Sequence, residues 1–136
     1  MSTEDELTAT QRWLALEHEA VWTYGLIGAR VPDLADRART QDTAHRRTRD
    51  RLHARVRSIG GRPVGTLATY AVPEPSDVAS ARALAQDVEA RIAAACVRLV
   101  AVTENRARDR AVDGLRDAAL AQVRWGAAPE PFPGLD

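Results

Sequence analysis

With 136 residues, 45% of them hydrophobic, the chain has the length of one domain and enough apolar content for one continuous core. Nineteen basic residues, every one an arginine, balance nineteen acidic ones, so no overall charge draws the chain to nucleic acid or to an anionic membrane. A single cysteine excludes an intramolecular disulfide and a cysteine-based zinc cluster. The acidic start MSTEDEL lacks a secretory-signal pattern and no apolar run approaches the roughly 18 residues that span a bilayer, so a cytoplasmic location without membrane contact is expected.

The first helix is expected over 4–31, opening on a capping box of Thr3 with Glu6 and stopped by Pro32. Its inward residues recur at Leu7, Thr10, Trp13, Ala20, Tyr24, Ile27 and Val31 in alternating three- and four-residue steps, and Glu17 falls in the same stripe. Glu17 in the stretch LEHEAVWTYG therefore points inward, while His18 and Glu19 lie on the flanks with solvent as their default. Asp33 is expected to cap a second helix over 33–59, whose inward face is Leu34, Ala38, Gln41, His45, Leu52, Val56 and Ile59. Gly60, Gly61 and Pro63 mark its end. Only a tight turn fits between these helices, so they form an antiparallel hairpin.

The segment GGRPVGTLATYAVPEPS, 60–76, holds three glycines and three prolines and has no helical period. Seventeen residues is long for a helix connection. It can cross the whole length of a helix of about 25 residues, roughly 37 Å, with Leu67, Tyr70 and Val72 lying on the bundle. Ser76 is expected to cap a third helix over 77–104 with Val78, Ala85, Glu89, Ile92, Cys96 and Leu99 inward. Cys96 among alanines and valine reads as a small buried core thiol. The polar cluster ENRARDR, 104–110, is the expected turn into a fourth helix over 108–125, which carries Ala111, Leu115, Ala118, Gln122 and Trp125 on one side. The tail, 127–136, is extended by its alternating prolines and expected to dock through Phe132. One all-α domain over 1–136 follows.

Three of the four helices thus place one ionisable group in the middle of an apolar face: Glu17, His45 and Glu89. A hairpin turning near Pro32 sets Glu17 opposite Arg49 and His45 opposite Ala20 and Val21, within roughly a turn. If the crossover makes the third helix parallel to the second, Glu89 comes level with His45. The expectation is a buried polar layer of Glu17, His45, Arg49 and Glu89, in which Arg49 neutralises Glu17 and His45 donates to Glu89. The alternative is a mononuclear iron or manganese site built from Glu17, Asp42, His45 and Glu89, since carboxylate oxygens and imidazole suit those ions.

A short hairpin, a long crossover and a second hairpin, with Glu and His facing inward, resemble a ferritin-like four-helix bundle. The chain is similar in particular to an actinobacterial ferritin-like family of unknown function. The residues that carry the resemblance are Glu17-His18 with Tyr24-Gly25 in LEHEAVWTYG, AHRRTRDRL at 44–52, GGRPV and YAVPEP in the connection, Glu89 in LAQDVEARIAAA, and the terminal PFPGL. The resemblance implies a fold and no activity. Ferritin-like dimetal carboxylate proteins use a Glu on each of two helices and Glu-x-x-His on each of the others. Here helix two offers only the shorter Asp42 with His45, and helix four has Ala118, Ala121, Gln122 and Trp125 where the second pair is required, which excludes a dimetal site. No cofactor is therefore expected, and the chain reads as a non-catalytic structural or interaction module forming a homodimer. The metal alternative would bring an oxidase or metal-handling role.

Other features carry less. Ten arginines against four aspartates between Arg30 and Arg62 make helix two basic, with Arg47, Arg51 and Arg55 in a row at four-residue spacing. No aromatic platform or nucleic-acid motif accompanies them, so acidic groups of this chain or of a second subunit are the expected partners. Gly25 and Gly28 are candidates for close helix approach. Trp13, Trp22 and Trp125 are expected in core and interface positions. No catalytic triad and no phosphate loop is present.

Overall fold

The structure is a computed structural model that describes residues 2–135, so the ends of the expected domain and tail, Met1 and Asp136, lie outside the described residues. Four helices make up its regular structure: α1 (Thr3–Arg30), α2 (Ala35–Ser58), α3 (Val78–Ala101) and α4 (Asn105–Arg124). Helix α1 is capped by Ser2, whose Oγ accepts the Asp5 N–H at 3.0 Å, in place of the expected Thr3–Glu6 box. Glu4, Asp5 and Glu6 then fill the first turn, where the helix dipole favours negative charge.

Pro32 ends α1 as expected, but Asp33 does not cap α2. Pro32–Leu34 form one 3₁₀ turn, and α2 starts at Ala35 with no side-chain cap. At the other end of α2 the N–H groups of Gly60 and Gly61 bond the carbonyls of Arg57 and Val56, a Schellman closure. Gly60 takes φ +88° there, a conformation that costs glycine nothing.

Helix α3 is capped by Asp77, not Ser76. Asp77 Oδ1 accepts the Ser80 N–H at 2.8 Å, and Ser80 Oγ accepts the Asp77 N–H at 3.1 Å. The turn into α4 falls at residues 102–104, upstream of most of the ENRARDR cluster. Thr103 is buried there with its hydroxyl donating to the Leu99 carbonyl at 2.6 Å, which satisfies one of the last orphan acceptors of α3. Asn105 follows with φ +55°, a left-handed conformation that asparagine tolerates better than most residues.

Helix α1 packs on α2 and on α3, and α3 packs on α4. The crossover runs along the whole of α1. Val64 meets Gln11 and His18, Tyr70 lies against Trp22 with ring centroids 5.8 Å apart, and Glu74 bonds Arg30 at 3.0 Å. That path returns the chain to the C-terminal end of α1, so α3 runs parallel to α2. Within the crossover Val64, Tyr70 and Val72 are half-buried, while Leu67 is exposed and does not lie on the bundle.

The core is formed by Leu14, Ile27, Val56, Val88 and Ile92 with both Trp13 and Trp125, each large aliphatic side chain contributing about 1.5–3 kcal/mol by burial. Trp22 is partly exposed. Small residues are buried on both α3 and α4, with Ala81, Ala85 and Ala93 on the first and Ala111, Ala118 and Ala121 on the second. Phe132 is 71% exposed, so the tail does not dock through it. Gly134 makes the close approach instead, its missing Cβ falling 2.7 Å from the Ala93 carbonyl oxygen. Among the described residues no helix is long and apolar enough to cross a membrane.

Candidate functional site

Glu17, His45 and Glu89 are all buried and lie in contact at the middle of the bundle. His45 stands between the carboxylates. Its Nδ1 is 2.8 Å from Glu17 Oε1 and 2.9 Å from Glu17 Oε2, and its Nε2 is 2.9 Å from Glu89 Oε2. Glu89 Oε2 also accepts the Tyr24 hydroxyl at 2.8 Å and a Gln41 amide N–H at 3.0 Å. Three helices contribute, because position 17 of α1, positions 41 and 45 of α2 and position 89 of α3 each fall on the stripe that turns to the core.

Two carboxylates facing the two ring nitrogens call for two N–H donors, and only the imidazolium has both. Burial would push His45 down, but the hydrogen bonds and negative charges of Glu17 and Glu89 outweigh it and hold the imidazole pKa up at about 10. Burial pushes the Glu17 carboxyl above its usual range, a shift that the His45 contact only partly offsets. Burial and the adjacent Glu89 carboxylate push Tyr24 well above the ordinary phenol value, so its hydroxyl remains a donor. Tyr24 stacks on the imidazole with centroids 5.4 Å apart and an interplanar angle of 14°. On its far side it meets Trp125 at 5.7 Å, and Arg37 lies over the Trp125 ring at 4.7 Å.

The expected partnership of Glu17 with Arg49 is corrected by the structure. Arg49 sits at the edge of the bundle and bonds Asp50 at 3.0 Å. With a 3₁₀ turn over Pro32–Leu34 between the helices, His45, one turn before Arg49 on α2, is the residue that meets Glu17. The guanidinium whose charge acts on Glu17 is that of Arg51. His18 and Glu19 are corrected as well, since both are half-buried and tie elements together. His18 donates from Nε2 to the Val64 carbonyl at 2.9 Å, and Glu19 pairs with Arg91 of α3.

Asp42 does not join the layer; its Oδ2 accepts Arg46 Nε at 2.8 Å one turn along the same helix. Oδ1 of Asp42 is buried without a hydrogen-bond partner among the described residues. His45 directs its two ring nitrogens to carboxylates on opposite sides, so no single point is within coordination distance of all three side chains. Among the described residues no group of three or more His, Cys, Asp or Glu side chains is arranged to hold a metal ion. Cys96 is fully buried, and burial raises its thiol far above the ordinary range, which leaves it inert as a nucleophile. The residues that sequence reasoning missed in the layer are Tyr24 and Gln41. Both stood on inward stripes, and a glutamine one turn before an inward histidine was the available signal.

The four-helix fold is shared by a solved structure. The crystal structure of a conserved hypothetical protein, rv2844, from Mycobacterium tuberculosis superposes with a TM-score of 0.85 at 27% sequence identity, over 95% of this chain and 96% of that one. No curated protein matches the sequence. The match that covers residues 9–136 is to the family described as Domain of unknown function (DUF4439), and the chain belongs to that family.

Proposed function

We propose that this protein is a ferritin-like four-helix bundle that has no resident metal and acts as a non-catalytic structural or binding module, its Glu17–His45–Glu89 layer serving to lock three helices in register. What carries this reading is the state of His45: both ring nitrogens are engaged by carboxylates at 2.8–2.9 Å, so neither offers a lone pair to an ion. Tyr24 and Gln41 also donate to the Glu89 Oε2 that His45 bonds. A catalytic imidazole must be free to exchange a proton with a substrate, and both nitrogens of His45 are held by carboxylates. Self-association belongs to the same proposal, because Val112, Leu120 and Val123 form an exposed apolar stripe on the outer face of α4.

A second reading rests on one observation, the unpartnered buried Oδ1 of Asp42, one turn before His45. In it Glu17, Asp42, His45 and Glu89 hold one iron or manganese ion after His45 releases a carboxylate. Elemental analysis of protein purified without chelator or affinity-tag metal separates the two. The proposal expects no stoichiometric iron, manganese or zinc; one equivalent that disappears in His45→Ala would overturn it.

A further inference from the structure

Helices α2 and α4 face each other on the side of the bundle opposite the α1–α3 contact and lack the close backbone packing of the other neighbouring pairs. At one end the gap between them is closed, because Arg37 of α2 bonds the Arg124 carbonyl and covers Trp125. Toward the other end it opens into a cavity of about 360 Å³, within the size range of small-molecule sites. A smaller cavity of about 260 Å³ shares Trp13, Thr48, Gly114 and Asp117 with it and continues inward to the Glu17–His45–Glu89 layer.

The walls of the larger cavity are chemically divided. Its floor is apolar, made by Trp13, Leu52 and Leu99. Its mouth is basic, and the arginines there are unequally satisfied. Arg55 is neutralised by Glu6, and Arg116 by Asp113 at 3.7 Å. Arg51 only donates to the Thr48 hydroxyl at 3.2 Å, and among the described residues neither Arg51 nor Arg110 makes an ion pair. Two polar groups of the lining, the Thr10 hydroxyl and the Trp13 indole N–H, are buried and lack partners. The guanidinium groups of Arg51 and Arg110, without an acidic partner beside an apolar floor, are the part of the lining that calls for a ligand.

We propose that this cleft binds a small amphiphilic organic anion, its oxyanion held by Arg51 and Arg110 and its apolar body laid on Trp13, Leu52 and Leu99. Guanidinium groups match carboxylate and phosphate oxygens in a two-pronged geometry, so either head group fits. Asp117 stands on the α4 wall farther in, which disfavours a polyanion and leaves room for one charged head at the mouth. The site is separate from the question of metal in the polar layer, since none of these ligand-contacting residues belongs to that layer.

Isothermal titration of the full chain with phenyl phosphate, phenylacetate and inorganic phosphate tests the site. One saturable equivalent of phenyl phosphate is expected, displaced by phenylacetate, with inorganic phosphate binding at least about tenfold more weakly for want of the apolar body. The exposed double variant Arg51→Gln/Arg110→Gln should retain its helical circular dichroism and lose about tenfold or more in affinity, whereas Arg47→Gln/Arg57→Gln, an equal charge change outside the cleft, should leave binding unchanged. Absence of saturable binding by both phenyl compounds would overturn the proposal. Undiminished affinity in the double variant would do the same, as would equal affinity for inorganic and phenyl phosphate.

Discussion

His45 joins Glu17 to Glu89 through the two nitrogens of one ring, at 2.8 Å on one side and 2.9 Å on the other, and thereby connects α2 to α1 and α3 at a single level. Remove the ring and two buried carboxylates are left with no cation between them. Breaking a buried ion pair from one side costs about 3–5 kcal/mol. His45→Ala should therefore lower unfolding stability by about that amount in urea titration. A loss under about 1 kcal/mol would mean that the layer contributes little to holding the helices.

The raised imidazole pKa gives stability a defined pH dependence. An unfolded histidine titrates near 6.5 and the folded one at about 10, so between those values the folded chain holds a proton that the unfolded chain has lost. The contribution is complete below about pH 6.5 and is lost as pH rises through about 10. Glu17, whose carboxyl is also raised, acts in the same direction at lower pH: its folded state holds the proton longer, so it too favours the acid side. The midpoint of thermal unfolding should fall steadily from pH 6.5 to pH 10 in the parent, and the decline should be shallower in His45→Leu. A parent curve flat across that interval contradicts the protonated bridge.

The two carboxylates are not equivalent. Glu89 Oε2 accepts three donors, from Tyr24, Gln41 and His45, while among the described residues Glu17 is bonded only to His45. With one imidazolium between them the layer carries one excess negative charge, which Glu17→Gln removes while leaving the His45–Glu89 pair intact. That change should cost at most about 1 kcal/mol, whereas Glu89→Gln weakens three charge-assisted hydrogen bonds and should cost about 2–3 kcal/mol. Chemical denaturation of the two variants measures the order, and a larger loss for Glu17→Gln would contradict it.

Two helical glycines separate propensity from packing. A Cβ at Gly25 would meet nothing within 4 Å, so the expected close approach at that position is absent, and Gly25→Ala should stabilise the chain by about 0.5–1 kcal/mol. At Gly114 a Cβ would fall 2.5 Å from the Trp13 ring and 3.0 Å from Cys96 Sγ. Overpacking there costs about 1–3 kcal/mol, which exceeds the propensity gain, so Gly114→Ala should lower the melting temperature while Gly25→Ala raises it.

Much of the fold was legible because glycine and proline punctuate it. Pro32, Gly60–Gly61 and the proline-rich crossover mark three of the helix ends, and the helical period put Glu17, His45 and Glu89 on inward stripes. The α3–α4 turn was placed too late because no glycine or proline enforces it; a buried threonine hydroxyl and a left-handed asparagine do. The partner of Glu17 differs from the one the sequence predicts for a different reason. Arg49 and His45 are four residues apart on α2, about 6 Å along the axis, and which of them meets Glu17 depends on how the Pro32–Leu34 turn closes. A residue pattern carries the phase of a helix but not that offset. The cleft was hidden for a related reason: Arg51 and Arg110 are 59 residues apart in the chain and meet only because α2 and α4 stand apart.

The most direct test of the polar layer is the ¹⁵N nuclear magnetic resonance signal of the His45 ring at pH 8 in metal-free protein, repeated after addition of one equivalent of ferrous or manganous ion. A bridge held by Glu17 and Glu89 predicts that both ring nitrogens carry protons at that pH and that the signal is untouched by the metal. A neutral ring at pH 8, or a signal lost to one equivalent of metal, would contradict it.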